Sequence, residues 1–323
     1  MKTIEWENSK LSTSKLGFGC APIMGRVGKK KSLYALDMSY ELGVRHFDIA
    51  RSYGFGEAEG VLGQFIRQKR DTLTITTKFG INPPKNQKVL SKIKPLARMI
   101  LENFPNLRSK IPYNSLTTIT SGFFSKEYAK KSLEKSLREL KTDHVDLLML
   151  HDCNSMSDLS EDLLTFMELL INEGKIKDWG LATELKTIEE LLPVLDIKPG
   201  VIQYESNIWC SRELLNNDLL NINSILHSPF GGVKRSSLAH ELCSNNSIIS
   251  WGEKENLEIS FKKISNYFLE AAILLSNNGI VLCSMFDKTH IHSNIKAFNS
   301  PNLSSRQVKE FIKICNLLNN NSS

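Results

Sequence analysis

Short apolar runs alternate along this chain with stretches whose apolar residues recur at helical spacing. Leu16-Gly17-Phe18-Gly19-Cys20 reads as a strand, and Leu33, Leu36 and Tyr40 then follow a helical period until Gly43 halts it. Val44-Arg45-His46-Phe47 is a second strand, followed by a full helical stripe at Ala58, Val61, Leu62, Phe65 and Ile66. Leu73–Thr77, rich in β-branched residues, is the third. Its helix comes late, with Ser125 as N-cap and Ala129, Leu133, Leu137 and Leu140 on one face. Val145–Leu150 is apolar except for Asp146, as a buried parallel strand should be, and Leu159, Leu163, Phe166 and Leu170 form the next helix, closed by Gly174.

The remaining strands are predicted at Ile176–Ala182, Val201–Tyr204, Ile222–Leu226 and Ile280–Cys283, with helices near Ile188–Val194, Arg212–Leu220, Asn266–Ser276 and Thr289–Phe298. Repeated strand–helix units imply a parallel sheet, and eight in succession suit a closed (α/β)8 barrel of the TIM type, here with a long insertion after the third strand. The competing fold, a doubly wound dinucleotide-binding sheet, needs a G-x-G-x-x-G turn after its first strand. Gly17-Phe18-Gly19 instead runs on to Pro22 where the third glycine belongs, and no phosphate loop follows Gly28, which meets Lys29-Lys30. Residues 1–323 are expected to form a single barrel domain, with 82–124 as the inserted loop and 319–323 as a disordered tail.

Composition adds mainly exclusions. With 41% hydrophobic and 24% charged residues, the chain has an ordinary globular profile. It has no apolar run of membrane-spanning length, and Met1–Glu7 lacks a signal-peptide core, so a cytoplasmic protein is expected. The six cysteines (Cys20, Cys153, Cys210, Cys243, Cys283, Cys315) are scattered without a C-x-x-C pair, which points to free thiols and no structural metal. The net charge of +6 equals the excess in one stretch: Asn82–Phe124 holds seven bases (Lys85, Lys88, Lys92, Lys94, Arg98, Arg108, Lys110) against Glu102. Such a local excess is no nucleic-acid footprint.

In a barrel, side chains that do chemistry gather where strands end. The polar residues just past the predicted strands are Asp48, then Tyr53, then Lys78 and His151. A phenol is a weak acid at neutral pH, and an adjacent ammonium should lower its pKa. Asp48 would hold Lys78 beside Tyr53, and His151 would orient a carbonyl oxygen for general acid catalysis.

These words sit within a wider resemblance. Phe47-Asp48-Ile49-Ala50-Arg51-Ser52-Tyr53-Gly54, Thr77-Lys78-Phe79-Gly80, Ser136-Leu137-Arg138-Glu139-Leu140 and Val145-Asp146-Leu147-Leu148-Met149-Leu150-His151 fall in the order and spacing of the aldo-keto reductase family. The chain resembles that family from about Leu16 to about Phe298. The resemblance implies a barrel binding NADPH in extended form and an oxidoreductase that reduces an aldehyde or ketone, or runs the reverse reaction. Hydride would come from the nicotinamide and the proton from Tyr53, with Asp48, Lys78 and His151 completing the tetrad. It further implies Gln203 at the carboxamide, His227 in the place of the stacking aromatic and Ser228-Pro229-Phe230-Gly231-Gly232 around the pyrophosphate. Asn294 would meet the adenine.

Three departures qualify it. Ala182-Thr183 stands where the family usually has Ser-Asn, and His227 replaces the usual tyrosine. The basic grip on a 2′-phosphate expected within Ser284–His290 has become Ser284 and His290, with Asp287 between them and Lys288 as a compensating base. NADP(H) is the favoured nucleotide and NAD(H) the alternative. The basic segment 82–124 is open to three readings: a solvated helical excursion, a substrate lid favouring anionic substrates, or a partner or membrane-surface contact. The expected partner is a small-molecule carbonyl compound, not nucleic acid, and no oligomeric state is assigned. The alternative function is a cofactor-binding regulatory protein with little or no turnover.

Overall fold

The computed structural model describes residues 1–83, 121–209 and 222–320, the side chains of 233–238 and 319–320 excepted. The chain opens with an antiparallel hairpin, β1 (Thr3–Trp6) and β2 (Leu11–Ser14). Eight strands then close into a parallel barrel: β3 (Leu16–Gly19), β4 (His46–Asp48), β5 (Thr74–Phe79), β6 (Leu147–His151), β7 (Asp178–Ala182), β8 (Val201–Glu205), β9 (Asn223–His227) and β10 (Ile280–Cys283). Each pairs with its neighbours in sequence order, and β10 closes the ring onto β3 through Val281–Leu16, Leu282–Gly17 and Cys283–Phe18. The barrel expected from the alternation is the barrel found.

The helices are α1 (Lys29–Glu41), α2 (Ala58–Ile66), α3 (Lys126–Leu140), α4 (Glu161–Asn172), α5 (Leu185–Leu191), α6 (Gly232–Cys243), α7 (Asn246–Glu255), α8 (Phe261–Leu275), α9 (Lys288–Asn299) and α10 (Ser305–Asn320). Capping explains several boundaries. Ser125 Oγ accepts the Tyr128 N–H as the N-cap of α3, and Ser160 does the same for Leu163 at α4. Gly43, at φ +98°, follows the end of α1, where Val44 N–H returns to the Ser39 carbonyl. That return bond starts the second barrel strand at His46 instead of Val44, so Asp48 belongs to the strand, in register with Gly19 and Thr76.

Other differences lie outside the repeating units. The hairpin was not anticipated, and it closes the N-terminal end of the barrel. Ile4, Trp6 and Leu11 pack with Leu147, Met149, Val201, Ile225 and Ile280 inside the ring. Trp6 Nε1 donates to the Asn278 carbonyl at 3.0 Å, and Ser9 Oγ donates to the buried Asp178 at the start of β7. Helices α6, α7 and α10 were also missed. Phe311 of α10 sits among Trp251, Tyr267 and Phe268, with ring centroids 5.5, 5.8 and 5.8 Å away, in a second apolar cluster outside the barrel. α10 extends to Asn320, two residues into the segment expected to be a disordered tail.

The helix expected at Arg212–Leu220 and most of the 82–124 insertion lie outside the described residues. Where that insertion rejoins the barrel, Phe124 is buried edge-on to Phe79 at 6.1 Å. The described cysteines carry free thiols, buried at Cys20, Cys153, Cys283 and Cys315 and partly exposed at Cys243. Among the described residues no helix is long and apolar enough to cross a membrane, and no His/Cys/Asp/Glu group could hold a metal ion.

Trp6 is 1% exposed and plugs the floor of the barrel. Trp6→Ala should therefore lower stability by about 3–5 kcal/mol, read from urea unfolding followed by circular dichroism. A loss below about 1 kcal/mol would mean that the hairpin is a loose appendage.

Candidate active site

The open end of the barrel brings together residues from four strand ends. Asp48 closes β4 and Lys78 lies near the end of β5. Lys78 Nζ is 2.5 Å from Asp48 Oδ1, with both side chains almost wholly buried. The second carboxylate oxygen of Asp48 accepts from Gln203 Nε2 of β8 at 3.1 Å, and Lys78 Nζ also donates to the Ile49 carbonyl at 3.2 Å. Both oxygens of the buried carboxylate are thus engaged, as a charge removed from water requires.

Tyr53 arrives on the loop after β4. Its N–H bonds to the Ala50 carbonyl at 3.0 Å, and the next two residues, Gly54 (φ +58°) and Phe55 (φ +62°), are left-handed. A side chain at Gly54 would meet the Ile23 carbonyl oxygen at 2.4 Å, so only glycine lets this loop pack on the segment after β3. The result sets the Tyr53 ring with its centroid 5.2 Å from Lys78 Nζ. His151, the last residue of β6, stands edge-on to that ring at 6.0 Å and 85°.

The electrostatics differ in one respect from the sequence-based expectation. The Tyr53 phenol is raised above its ordinary pKa: burial outweighs the Lys78 ammonium, whose charge and hydrogen bond pull the phenol back down. Burial also raises Asp48 against the opposing pull of Lys78. For Lys78, burial favours the neutral amine, but Asp48 and Tyr53 together outweigh it and hold the ammonium above its usual value. His151 is pushed down to about 3 by burial, then by the charges of Lys78 and His227. His227 falls to about 4 for the same first reason.

The residues expected to hold a nucleotide ring this opening unevenly. Gln203 Oε1 is buried with no partner among the described residues. His227 closes β9, its Nδ1 3.0 Å from Ser228 Oγ. The loop Ser228–Gly232 is left-handed at Ser228, Gly231 and Gly232 and leads straight into α6, with Pro229 and Gly231 buried and Phe230 packed on the core. Ser284 follows β10 and donates to the Gly19 carbonyl at 3.0 Å. Asp287 is the N-cap of α9, accepting the Thr289 N–H at 2.8 Å, while Lys288 and His290 are exposed and Asn294 is buried.

Sequence reasoning missed three groups here. Asn154 Oδ1 accepts from Thr183 Oγ1 at 3.2 Å, bringing an amide to the place after β7 where the expected asparagine is absent. Asn207, buried beyond β8, donates to the Glu205 carboxylate at 3.0 Å and the Ser228 carbonyl at 3.4 Å, tying two loops together. Behind the barrel wall, Arg51 and Glu59 form a buried ion pair at 2.5 Å. Asn154, Asn207 and Arg51 lie two or three residues past their strands, on loops whose path the sequence alone does not reveal.

Comparison with known proteins agrees with this arrangement. The profile of the Aldo/keto reductase family matches residues 15–237. This chain belongs to that family. Among curated proteins, this aldo-keto reductase is 23% identical to L-galactose dehydrogenase of Arabidopsis thaliana over 90% of its own length and 86% of that protein's. It is 28% identical to the uncharacterized oxidoreductase YqkF of Bacillus subtilis over 54% of its own length, a match spanning 46% of that relative. With YhdN, an aldo-keto reductase of the same bacterium, identity is 24% over 60% of this chain and 52% of the other. The chain therefore spans only about half the length of several relatives it matches. Solved structures share the fold. The Klebsiella pneumoniae aldo-keto reductase in complex with NADPH superposes with TM-score 0.68 at 19% identity, over 98% of this chain and 96% of the other. AKR11C1 from Bacillus halodurans gives 0.69 at 19%, over 97% and 95%.

The depressed histidines yield a direct test. A histidine titrating at its ordinary 6.5 would be mostly protonated by pH 5, whereas groups held at about 3 and about 4 stay neutral. Nitrogen NMR of the imidazole rings should show His151 and His227 as neutral tautomers from pH 8 down to pH 5. A titration of either midway through that range would contradict the partly buried placement near Lys78.

Proposed function

We propose that the open end of the barrel is the active site of an NADP(H)-dependent carbonyl reductase, running aldehyde or ketone to alcohol or the reverse, with the chain acting as one barrel domain. The observation that carries the reading is the buried Asp48–Lys78 pair with the Tyr53 ring beside it and His151 edge-on to that ring. The family's oxidoreductases and the NADPH-bound Klebsiella pneumoniae structure support it.

The residues present fit the nucleotide. The unpartnered Gln203 Oε1 offers an acceptor for a carboxamide at the centre of the opening. The left-handed run at Ser228, Gly231 and Gly232, ahead of α6, suits backbone N–H groups to a pyrophosphate. His227 would flank the nicotinamide and Asn294 would meet the adenine. When bound, the reduced nicotinamide supplies the hydride. The chain's own residues do the rest. Tyr53 is a neutral phenol across the physiological range and gives its proton to the carbonyl oxygen as charge develops there. Lys78 then faces the phenolate left behind and stabilises it, while Asp48 holds the ammonium in place. Neutral His151 has one ring N–H to donate, which orients the same oxygen. General acid work of this kind contributes roughly 10²–10⁴-fold.

Tyr53→Phe removes the proton but not the ring. Turnover of a generic aldehyde with NADPH should fall at least about 100-fold while nucleotide affinity stays within a few-fold. A variant that turns over at the wild-type rate would sink the assignment. A wild-type protein that binds nucleotide without turning over any aldehyde would favour the regulatory alternative.

Selectivity between nucleotides is expected to be weak. Ser284 is committed to Gly19, and the Asp287 carboxylate already caps α9 where a 2′-phosphate would compete for the same helix end. Equilibrium fluorescence titration should show NADPH preferred over NADH by less than about 100-fold, or roughly 2.7 kcal/mol. Asp287→Asn keeps the cap and removes the charge, so it should tighten NADPH several-fold and leave NADH unchanged. Equal effects on both nucleotides would place the 2′-phosphate elsewhere.

A further inference from the structure

Resting on the reading above, we propose that Arg51, Glu59 and Thr77 form a buried clamp that sets the position of Tyr53 relative to Lys78. Arg51 lies two residues before Tyr53, and Thr77 immediately precedes Lys78 on β5. Strand alternation sends the Thr77 side chain out of the barrel as Lys78 turns in, so Thr77 faces the surrounding helices. There it meets Glu59 of α2, whose Oε1 accepts from Thr77 Oγ1 at 2.7 Å. The other oxygen of the same carboxylate, Oε2, takes Arg51 Nη1 at 2.5 Å. Arg51 makes two more bonds: its backbone N–H donates to the Lys78 carbonyl of β5 at 3.3 Å, and its Nη1 to the Gly56 carbonyl beyond Tyr53 at 3.5 Å. One wholly buried carboxylate thus ties the loop that carries Tyr53 to the strand that carries Lys78.

The segment needs such a tie. Lys78 is held in the sheet by its pairing with Met149 of β6, and its carbonyl accepts the Arg51 N–H on the other side. Tyr53 is not in a strand, and two left-handed residues follow it directly. Beyond the backbone bonds of Tyr53 to Ala50 and of Arg51 to Lys78, its position rests on side-chain anchors. A buried ion pair is a poor device for stability alone, because desolvation offsets most of the attraction and apolar replacements often serve as well. What the pair supplies is direction: the carboxylate's two oxygens fix two segments at once. Misplacement of a reacting group by about 1 Å can cost on the order of 100-fold in rate, so a tether that contacts neither substrate nor nucleotide still governs the chemistry. Arg51, Glu59 and Thr77 are positioning residues.

The test compares full-length variants by single-turnover oxidation of NADPH with a generic aldehyde, by nucleotide affinity and by thermal unfolding. Thr77→Val removes the hydroxyl and should lower the single-turnover rate about 10-fold or more, with KM and nucleotide affinity within about twofold. Thr77→Ser restores the hydroxyl and should recover most of the rate. Arg51→Met combined with Glu59→Leu replaces the pair by apolar groups without stranding a charge. It should unfold within a few degrees of wild type and yet react about 10- to 100-fold more slowly. A folded double variant, or Thr77→Val, reacting within twofold of wild type overturns the clamp and leaves the reading of the site intact. A double variant that does not fold shows that the pair is needed for the fold and also overturns the clamp as stated. Wild-type protein that oxidises no NADPH with any aldehyde overturns the reading of the site and the clamp with it.

Discussion

Everything at the open end of this barrel depends on keeping one ion pair charged away from water. Burial works against both partners, favouring the neutral acid at Asp48 and the neutral amine at Lys78. Each charge is favoured by the other 2.5 Å away, and the leftover carboxylate oxygen is taken by Gln203. β4 and β8 stand four places apart in a ring of eight strands. The Gln203–Asp48 bond therefore crosses the interior, and the pair acts as a polar ceiling over the apolar filling of Leu147, Met149, Val201, Ile225 and Ile280. Removing one partner would leave a buried charge uncompensated, a change of about 3–5 kcal/mol, so this site and the stability of its surroundings are coupled.

The same environment sets the proton chemistry around it. A simple view of the phenol has the ammonium making it more acidic, yet burial acts more strongly and leaves it less acidic than in water. The lysine's contribution is then to limit that rise and to meet the negative charge once the proton has gone. The histidines follow the same logic in reverse: Lys78 and the apolar surroundings both oppose protonation, so His151 presents a neutral ring. One cation and one anion offset each other beside a neutral phenol and a neutral imidazole.

Much of this was legible in the residues themselves. Parallel strands buried on both faces read as apolar runs, and the first polar residue beyond such a run is a natural candidate for the open end. Asp48, Lys78 and His151 read that way directly, and Tyr53, five residues past its strand, joins them through the proton chemistry that a phenol and a nearby ammonium share. The hairpin escaped because its strands, Thr3-Ile4-Glu5-Trp6 and Leu11-Ser12-Thr13-Ser14, are half polar and do not read as apolar runs. Helix α6 escaped because it starts from two left-handed glycines that read as loop. The Arg51–Glu59–Thr77 set was invisible for another reason. Those residues are 8 and 18 positions apart, and only the wrapping of α2 onto β5 makes them neighbours. The direction of the Tyr53 shift was likewise out of reach, since it depends on how many atoms surround the ring.

The closed floor has a consequence for traffic. With Trp6 and Leu11 wedged into the N-terminal end and apolar side chains filling the interior, that end is shut among the described residues. Whatever approaches Tyr53 enters and leaves by the opening that Asp48, Lys78, His151 and Gln203 surround. A group held at the bottom of that opening is covered by anything that settles above it.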